Sequence, residues 1–394
     1  KFKNKLAYYL AIFAMVFGST FGTFNAANAA SVAITIADTE TKVAANFADG
    51  DDPATATGAT GTLDTATSAP FTLTTFTNTV DNTTTISGDS DVTISGAITA
   101  ATATTLIITL SETADLASAG AHVETGTGVL KFNLGGRTIT RSADVASAAS
   151  FDGTGTLAVT GSSSYTDSIG GTTGLTAISI ANLKTMTIAG TGAQTLAATN
   201  INGTDTGEGI LAFTNVGGTT TVTGAVGTTT LANITSVASS TVNFSGAVAA
   251  TAATFTGTTT VTGAGAFPTL TIAALGDATF TTTLASTTSA TIANTGTATF
   301  NGIVTTPSLV VTGTANVNVI NQAVAKVSLS STGVIQLPKT MAATALADSV
   351  FSNTDQEAGT LNDTGKIYLP SRLNGGDTIN LFDDSTNTTT AAAL

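Results

Sequence analysis

Three carboxylates crowd one glycine-containing turn in this chain, Asp49-Gly50-Asp51-Asp52. A flexible turn of aspartates offers the oxygen donors that a hard cation such as calcium takes, so Asp49, Asp51 and Asp52 are the candidate metal ligands. Asp383-Asp384 and the Gly375-Gly376-Asp377 turn are secondary candidates. The second of these matches part of a calcium-binding nonapeptide but occurs once, without the tandem copies that build such a site. The plain alternative for all of them is an acidic surface turn. Calcium is the one cofactor these residues suggest.

Catalysis finds less to work with. Glycoside cleavage needs two carboxylates, one to donate a proton and one to act as base or nucleophile. From Gly209 to Lys326 the only charged side chain before the lysine is Asp277, so that stretch holds no such pair. Asp205 and Glu208 lie three residues apart in a glycine-rich segment and read as a solvated loop. His122 is the single histidine and has no obvious nucleophile beside it in sequence. A site with several histidine ligands is excluded, and no catalytic residue is assigned.

The elements that would carry these residues are repetitive. Gly257, Gly276, Gly296, Gly313 and Gly333 recur at intervals of 19, 20, 17 and 20 residues. Four residues after the first four come Val261, Phe280, Phe300 and Val317, and a second apolar pair recurs as Leu270/Ile272, Leu309/Val311 and Val327/Leu329. Residues 271–290 and 291–310 align directly, Ile272 with Ile292 and Leu284 with Val304. A fixed period of this length marks stacked supersecondary units. One such unit cannot fold alone. Burying Phe280, Leu284 and Ile292 contributes about 1.5–3 kcal/mol each, against roughly 1–2 kcal/mol for every backbone ordered. Stacking supplies the missing hydrogen bonds and covers the apolar layer. The glycines are expected at corners, where the backbone turns to positive φ.

Composition agrees. The chain has 88 Thr and 40 Gly among 394 residues, with no Cys and no Trp. Thr suits a half-buried pleated surface. A charged fraction of 9% lies far below the usual quarter. A disordered Thr-rich stalk would share that low charge, but the 42% hydrophobic content and recurring Val, Ile and Phe argue against it. The expected fold is all-β, a parallel β-helix or solenoid with coils of about 17–22 residues, preceded by an irregular β cap region.

Four zones follow. Residues 1–29 read as a Sec signal peptide: Lys1, Lys3 and Lys5, an apolar run from Leu6 to Phe17, and Ala27-Asn28-Ala29 as the cleavage site. That run is too short to span a bilayer. Removing it takes three lysines and no acids from a chain of 12 basic and 25 acidic residues, leaving 9 against 25, a net charge of −16. Nucleic acid is thereby excluded as a partner, since binding it needs a basic surface.

Residues 30–168 hold 15 of the acids and form the capping region, which would protect an exposed solenoid end. Within it, Leu130, Phe132 and Leu134 alternate before Gly135-Gly136 and Thr138-Ile139-Thr140, the pattern of a hairpin. Ala-rich runs at 111–121 and 142–150 suggest helical turns, with Ser111 and Ser142 as N-caps. Residues 169–337 form the regular solenoid. Residues 338–394 begin a further module or C-terminal cap, with a short helix from Met341 to Phe351 and strands at Lys366–Leu369 and Thr378–Phe382. The absent initiator Met and this late shift in composition suggest a segment of a longer protein.

The Sec signal followed by long, imperfect Thr/Gly/Ala/Asn-rich repeats resembles the passenger regions of autotransporter adhesins and large repetitive bacterial outer-membrane antigens. That resemblance implies an elongated β-helix on the cell surface or in the outer membrane, held there by a C-terminal barrel that this sequence does not show. It implies self-association or contact with host or environmental surface ligands, without catalysis. A self-assembling surface-layer or filament subunit, with calcium at its acidic turns, is the alternative. A polysaccharide-active β-helix enzyme is a third reading, and it lacks its carboxylate cluster.

Overall fold

The structure, a computed structural model, describes residues 34–43, 52–65, 71–293, 295–318, 323–324, 327–329, 333–336, 366–368, 379–380 and 391–392. The expected signal peptide and the Met341–Phe351 helix lie outside the described residues. Within them there is no helix; parallel strands stack as a β-solenoid of about 13 turns.

Each turn visits three faces in a fixed order. Face one runs from Ile34–Ile36 through Asp52–Ala56, His122–Glu124, Ala146–Ser147 and Ser163–Tyr165 to Thr269–Ile272, Ser289–Ile292 and Leu309–Val311. Face two runs from Glu40–Val43 through Thr60–Asp64 and Val129–Asn133 to Asp277–Phe280, Thr297–Phe300 and Thr314–Val317. Face three includes Val92–Ile94, Leu116–Ser118, Thr138–Arg141 and Thr156–Val159, and later Leu284–Ala285 and Val304–Thr306. The less regular part is N-terminal, where turns are longer: His122 lies opposite Ser147, 25 residues on. From Ala253 the partners are Leu270, Ala290, Leu309 and Val327, at offsets of 17, 20, 19 and 18 residues. The ladder also crosses from the N-terminal to the C-terminal part unbroken, since Phe151 bridges to Ile169 and Ile169 to Leu196.

Strand alternation places the core. Thr297–Phe300 reads half-buried, buried, half-buried, buried, so Ala298 and Phe300 point inward while Thr297 and Thr299 face out. Phe280, Phe300, Ile272, Ile292, Leu284 and Val304 are all 2% exposed or less, which confirms the inward column. The strand expected near Lys366 is also present: Lys366–Tyr368 pairs in parallel with Val334–Gln336. Ile379–Asn380 pairs antiparallel with Ala391–Ala392.

Three expectations are corrected. Residues 111–121 and 142–150 contain no helical turn: Leu116–Ser118 and Ala146–Ser147 are strands, with Ala114 and Ala149 buried in the core. Stacking overrides the helix preference of alanine there. Leu130, Phe132 and Leu134 do point inward and Gly135-Gly136 does turn, at φ 53° and 86°. The chain then passes to the next face: Thr138–Arg141 pairs in parallel with Leu116–Ser118 and Thr156–Val159, so no hairpin forms. Gly257, Gly276, Gly296 and Gly313, finally, are not at positive φ. At two of these corners the left-handed residue is the one before, Leu275 at φ 69° and Thr295 at φ 62°. Glycine follows because the preceding turn comes too close: a Cβ on Gly276 would lie 2.3 Å from the Phe255 carbonyl oxygen, and one on Gly313 2.2 Å from that of Ala293. The column is closed by hydrogen bonds, Thr297 N–H to Gly276 O and Thr314 N–H to Gly296 O, both 2.8 Å.

Candidate functional site

Of the predicted calcium ligands, Asp49 and Asp51 lie outside the described residues. Asp52 opens the strand Asp52–Ala56, its backbone opposite Leu73. Asp377, Asp383 and Asp384 are also outside. Among the described residues, no three His, Asp or Glu side chains are grouped closely enough to hold a metal. Glu208 accepts the Asp205 backbone N–H at 3.1 Å and so closes its own turn. Asp277 stands exposed on face two between Thr258 and Thr297.

The N-terminal acids have a role that composition alone hid. Asp81 Oδ1 accepts the Thr105 N–H (2.7 Å), Asp91 Oδ1 that of Asp115 (3.1 Å), Asp115 Oδ1 that of Thr138 (2.7 Å) and Asp152 Oδ1 that of Thr172 (2.9 Å). Each carboxylate thus ties a corner to the turn after it, satisfying a donor that the ladder leaves unpaired. In the C-terminal half, hydroxyls and amides take over: Thr281 Oγ1 donates to Val261 O (3.0 Å), and Asn318 Nδ2 to Asn301 Oδ1 (2.7 Å). Neutral staples explain how that half dispenses with charge.

Outside, face two of the C-terminal half presents two columns. One holds Thr219, Thr241, Thr258, Asp277, Thr297 and Thr314; the other holds Thr221, Asn243, Thr260, Thr279, Thr299 and Asn316. Neighbours within a column are about 4.8 Å apart, and the columns about 6.6 Å, from parallel-strand geometry. The result is a ruled surface of hydroxyls and amides carrying one carboxylate.

Inside, the N-terminal half holds a polar cluster. Ser118, His122, Arg141, Ser147 and Tyr165 are each no more than 2% exposed. His122 has no obvious nucleophile beside it in sequence, but the fold sets a serine on each ring nitrogen: Ser118 Oγ is 2.9 Å from Nε2 and Ser147 Oγ 2.9 Å from Nδ1. Arg141 Nη1 also lies 2.9 Å from Nε2. A guanidinium only donates, so Nε2 is the acceptor and Nδ1 carries the proton toward Ser147. Burial first, and the Arg141 charge second, hold the imidazole well below its ordinary value of 6.5, so it stays neutral. Phe132 and Phe151 pack against it, at ring centroids of 4.7 and 5.7 Å. Strand parity was the available signal: Ile139 points inward, and Arg141 two residues on must do the same.

Arg141 Nη1 shares its two protons among Ser118 O (3.2 Å), Ser118 Oγ (2.8 Å), Gly120 O (2.8 Å) and His122 Nε2. None of these is an anion. The two ion pairs among the described residues join Lys42 to Glu40 and Lys184 to Asp144. The serine hydroxyls are shut inside the stack, so this polar cluster braces adjacent turns and offers no group to the surface. No protein-family model, curated protein or solved structure matches the chain.

Proposed function

We propose that this chain is an exported cell-surface protein with a structural and adhesive role, a β-helical, passenger-like segment whose contacts are spread along its outer faces. The observation that carries this reading is the pair of Thr/Asn columns on face two, a repeating hydrogen-bonding surface rigidly held by the ladder beneath. Such a surface suits many weak contacts with a polar partner over a long front, where effective concentration does the work of single-site affinity. The amino-terminal segment supports export. Two experiments test the reading. Residues 1–33 fused to a reporter that matures only after export should deliver it; a reporter retained in the cytoplasm removes the surface role. Beads coated with the chain should adhere to cell or polysaccharide surfaces, and Thr279→Lys with Thr299→Lys should weaken that adhesion.

A second reading, a self-assembling surface-layer or filament subunit, is favoured by the same faces. With Asp277 as the one charge on those columns, little Coulomb repulsion keeps two copies apart. Light scattering and electron microscopy with and without calcium separate the two. Elongated monomers indifferent to calcium favour the passenger reading; ordered arrays appearing on calcium addition favour the subunit, with Asp49, Asp51 and Asp52 as its ligands.

A further inference from the structure

Arg141 is fully buried, yet only one edge of its guanidinium is engaged. Nη1 faces back toward the turn of Ser118, Gly120 and His122. Nε and Nη2, equally buried, have no hydrogen-bond partner. Those two N–H groups form the edge that grips a carboxylate or other small anion with two parallel bonds. Beside the guanidinium, one turn on, stands the Tyr165 phenol, whose buried oxygen lies within electrostatic reach of Arg141 but completes no well-formed hydrogen bond. Phe151, Val159 and Phe132 close the surroundings with apolar surface.

Three donors, all sealed from water, therefore meet where the phenol oxygen is the one acceptor within reach, and no anion balances the guanidinium. A guanidinium keeps its charge in any protein environment, and a buried charge is stable only when paired. The neighbouring His122 is neutral and itself accepts from Arg141, so it adds no negative charge.

We propose that Arg141 and Tyr165 together form a structural anion site, in which a small monovalent anion of the size of chloride is held by Arg141 Nε and Nη2 and by the Tyr165 hydroxyl. The anion enters as the turns stack and then counts as part of the core. It neutralises the guanidinium and gives each of the three donors an acceptor. Its effect is linkage: an anion that binds the folded chain alone stabilises it in proportion to the logarithm of its concentration above Kd.

The test is thermal unfolding of the full chain in sodium chloride against sodium gluconate, whose anion is too large for the site, at constant ionic strength. Chloride should raise Tm by roughly several degrees, with a rise linear in the logarithm of its concentration above Kd and absent in gluconate. Arg141→Gln should abolish the difference between the two salts, and Tyr165→Phe should shift the chloride dependence to higher concentration. If Arg141→Gln does not fold, crystals grown in bromide decide: an anomalous peak beside Nε and Nη2 supports the site. Equal Tm in chloride and gluconate, a chloride response that survives in Arg141→Gln, or bromide found only elsewhere would each overturn it.

Discussion

Phe280 and Phe300 occupy the same position in successive turns, with ring centroids 5.8 Å apart and planes within 18° of parallel. Both are 1% exposed. Each ring therefore roofs the one before it, and the stack on face two is only as sound as its least apolar layer. Phe280→Asp would insert an unpaired charge between turns and should unfold the C-terminal half. Phe280→Ala should cost about 3–5 kcal/mol. The adjacent Thr281 is exposed but donates to Val261 O and Thr262 O, so Thr281→Asp should cost about 1 kcal/mol and leave the fold intact. Circular dichroism melts that rank Phe280→Asp and Thr281→Asp equally would contradict the assignment of inside and outside.

Gly296 tests the close-approach argument. A Cβ there would meet the Ala273 carbonyl oxygen at 2.6 Å and that of Ala293 at 3.0 Å. Backbone cannot give way as a flexible side chain would, so Gly296→Ala should destabilise by about 1–3 kcal/mol. At Leu275 the reverse holds, because this left-handed residue is 71% exposed. Leu275→Asn should stabilise by up to about 1 kcal/mol, since asparagine tolerates that conformation. Urea midpoints for the two variants should move in opposite directions.

The carboxylate staples make a chemical prediction. Asp115 both receives the Thr138 N–H and gives its own N–H to Asp91. Asp115→Ala strands the Thr138 donor and should cost about 1.5–3 kcal/mol. Asp115→Asn keeps an acceptor oxygen in the same place and should cost markedly less. Equal losses in chemical denaturation would mean that the carboxylate contributes by charge or shape and not by accepting that bond.

Stability should also fall on mild acidification. The unfolded chain protonates His122 near its ordinary 6.5, whereas the folded chain resists, through burial and then Arg141. Below that pH the unfolded state binds more protons, so stability declines as pH drops. The slope reaches about 1.4 kcal/mol per pH unit for one group. Glu124 and Asp167 act in the opposite sense, because burial raises both above their ordinary 4.5 and 3.8 and the folded state then holds the extra protons. Their influence begins at lower pH, so the histidine loss comes first. Denaturant midpoints between about pH 8 and 5.5 should drop for the parent chain and stay flatter for His122→Gln; parallel curves would exclude His122 as the cause.

The repeat was legible where it was most regular. Gly257, Gly276, Gly296 and Gly313, with Val261, Phe280, Phe300 and Val317 behind them, announced both the period and the inward column, and the ladder pairs those residues in that order. The N-terminal half hid the same architecture because its turns vary in length and its alanines favour helix locally. Pairing with neighbours some twenty residues away outweighs such local preferences, and a single chain carries little trace of it. The buried cluster was hidden for a related reason. Ser118, His122, Arg141 and Ser147 are near in space only because successive turns superpose, and sequence distance conceals that contact.

The column of glycines also makes length an adjustable quantity. Gly276 and Gly296 hold equivalent places in consecutive turns, and each passes its carbonyl to the residue that follows the next glycine. Excising residues 277–296 would join Gly276 to Thr297 and bring Phe300, Val304 and Val311 to the levels of Phe280, Leu284 and Ile292. The cut ends then meet partners of the same shape, and the rod shortens by one rung, about 4.8 Å. Recombination between turns of equivalent shape, though of divergent sequence, would lengthen or trim this protein without redesigning it, so its reach is a trait that selection can tune one repeat at a time.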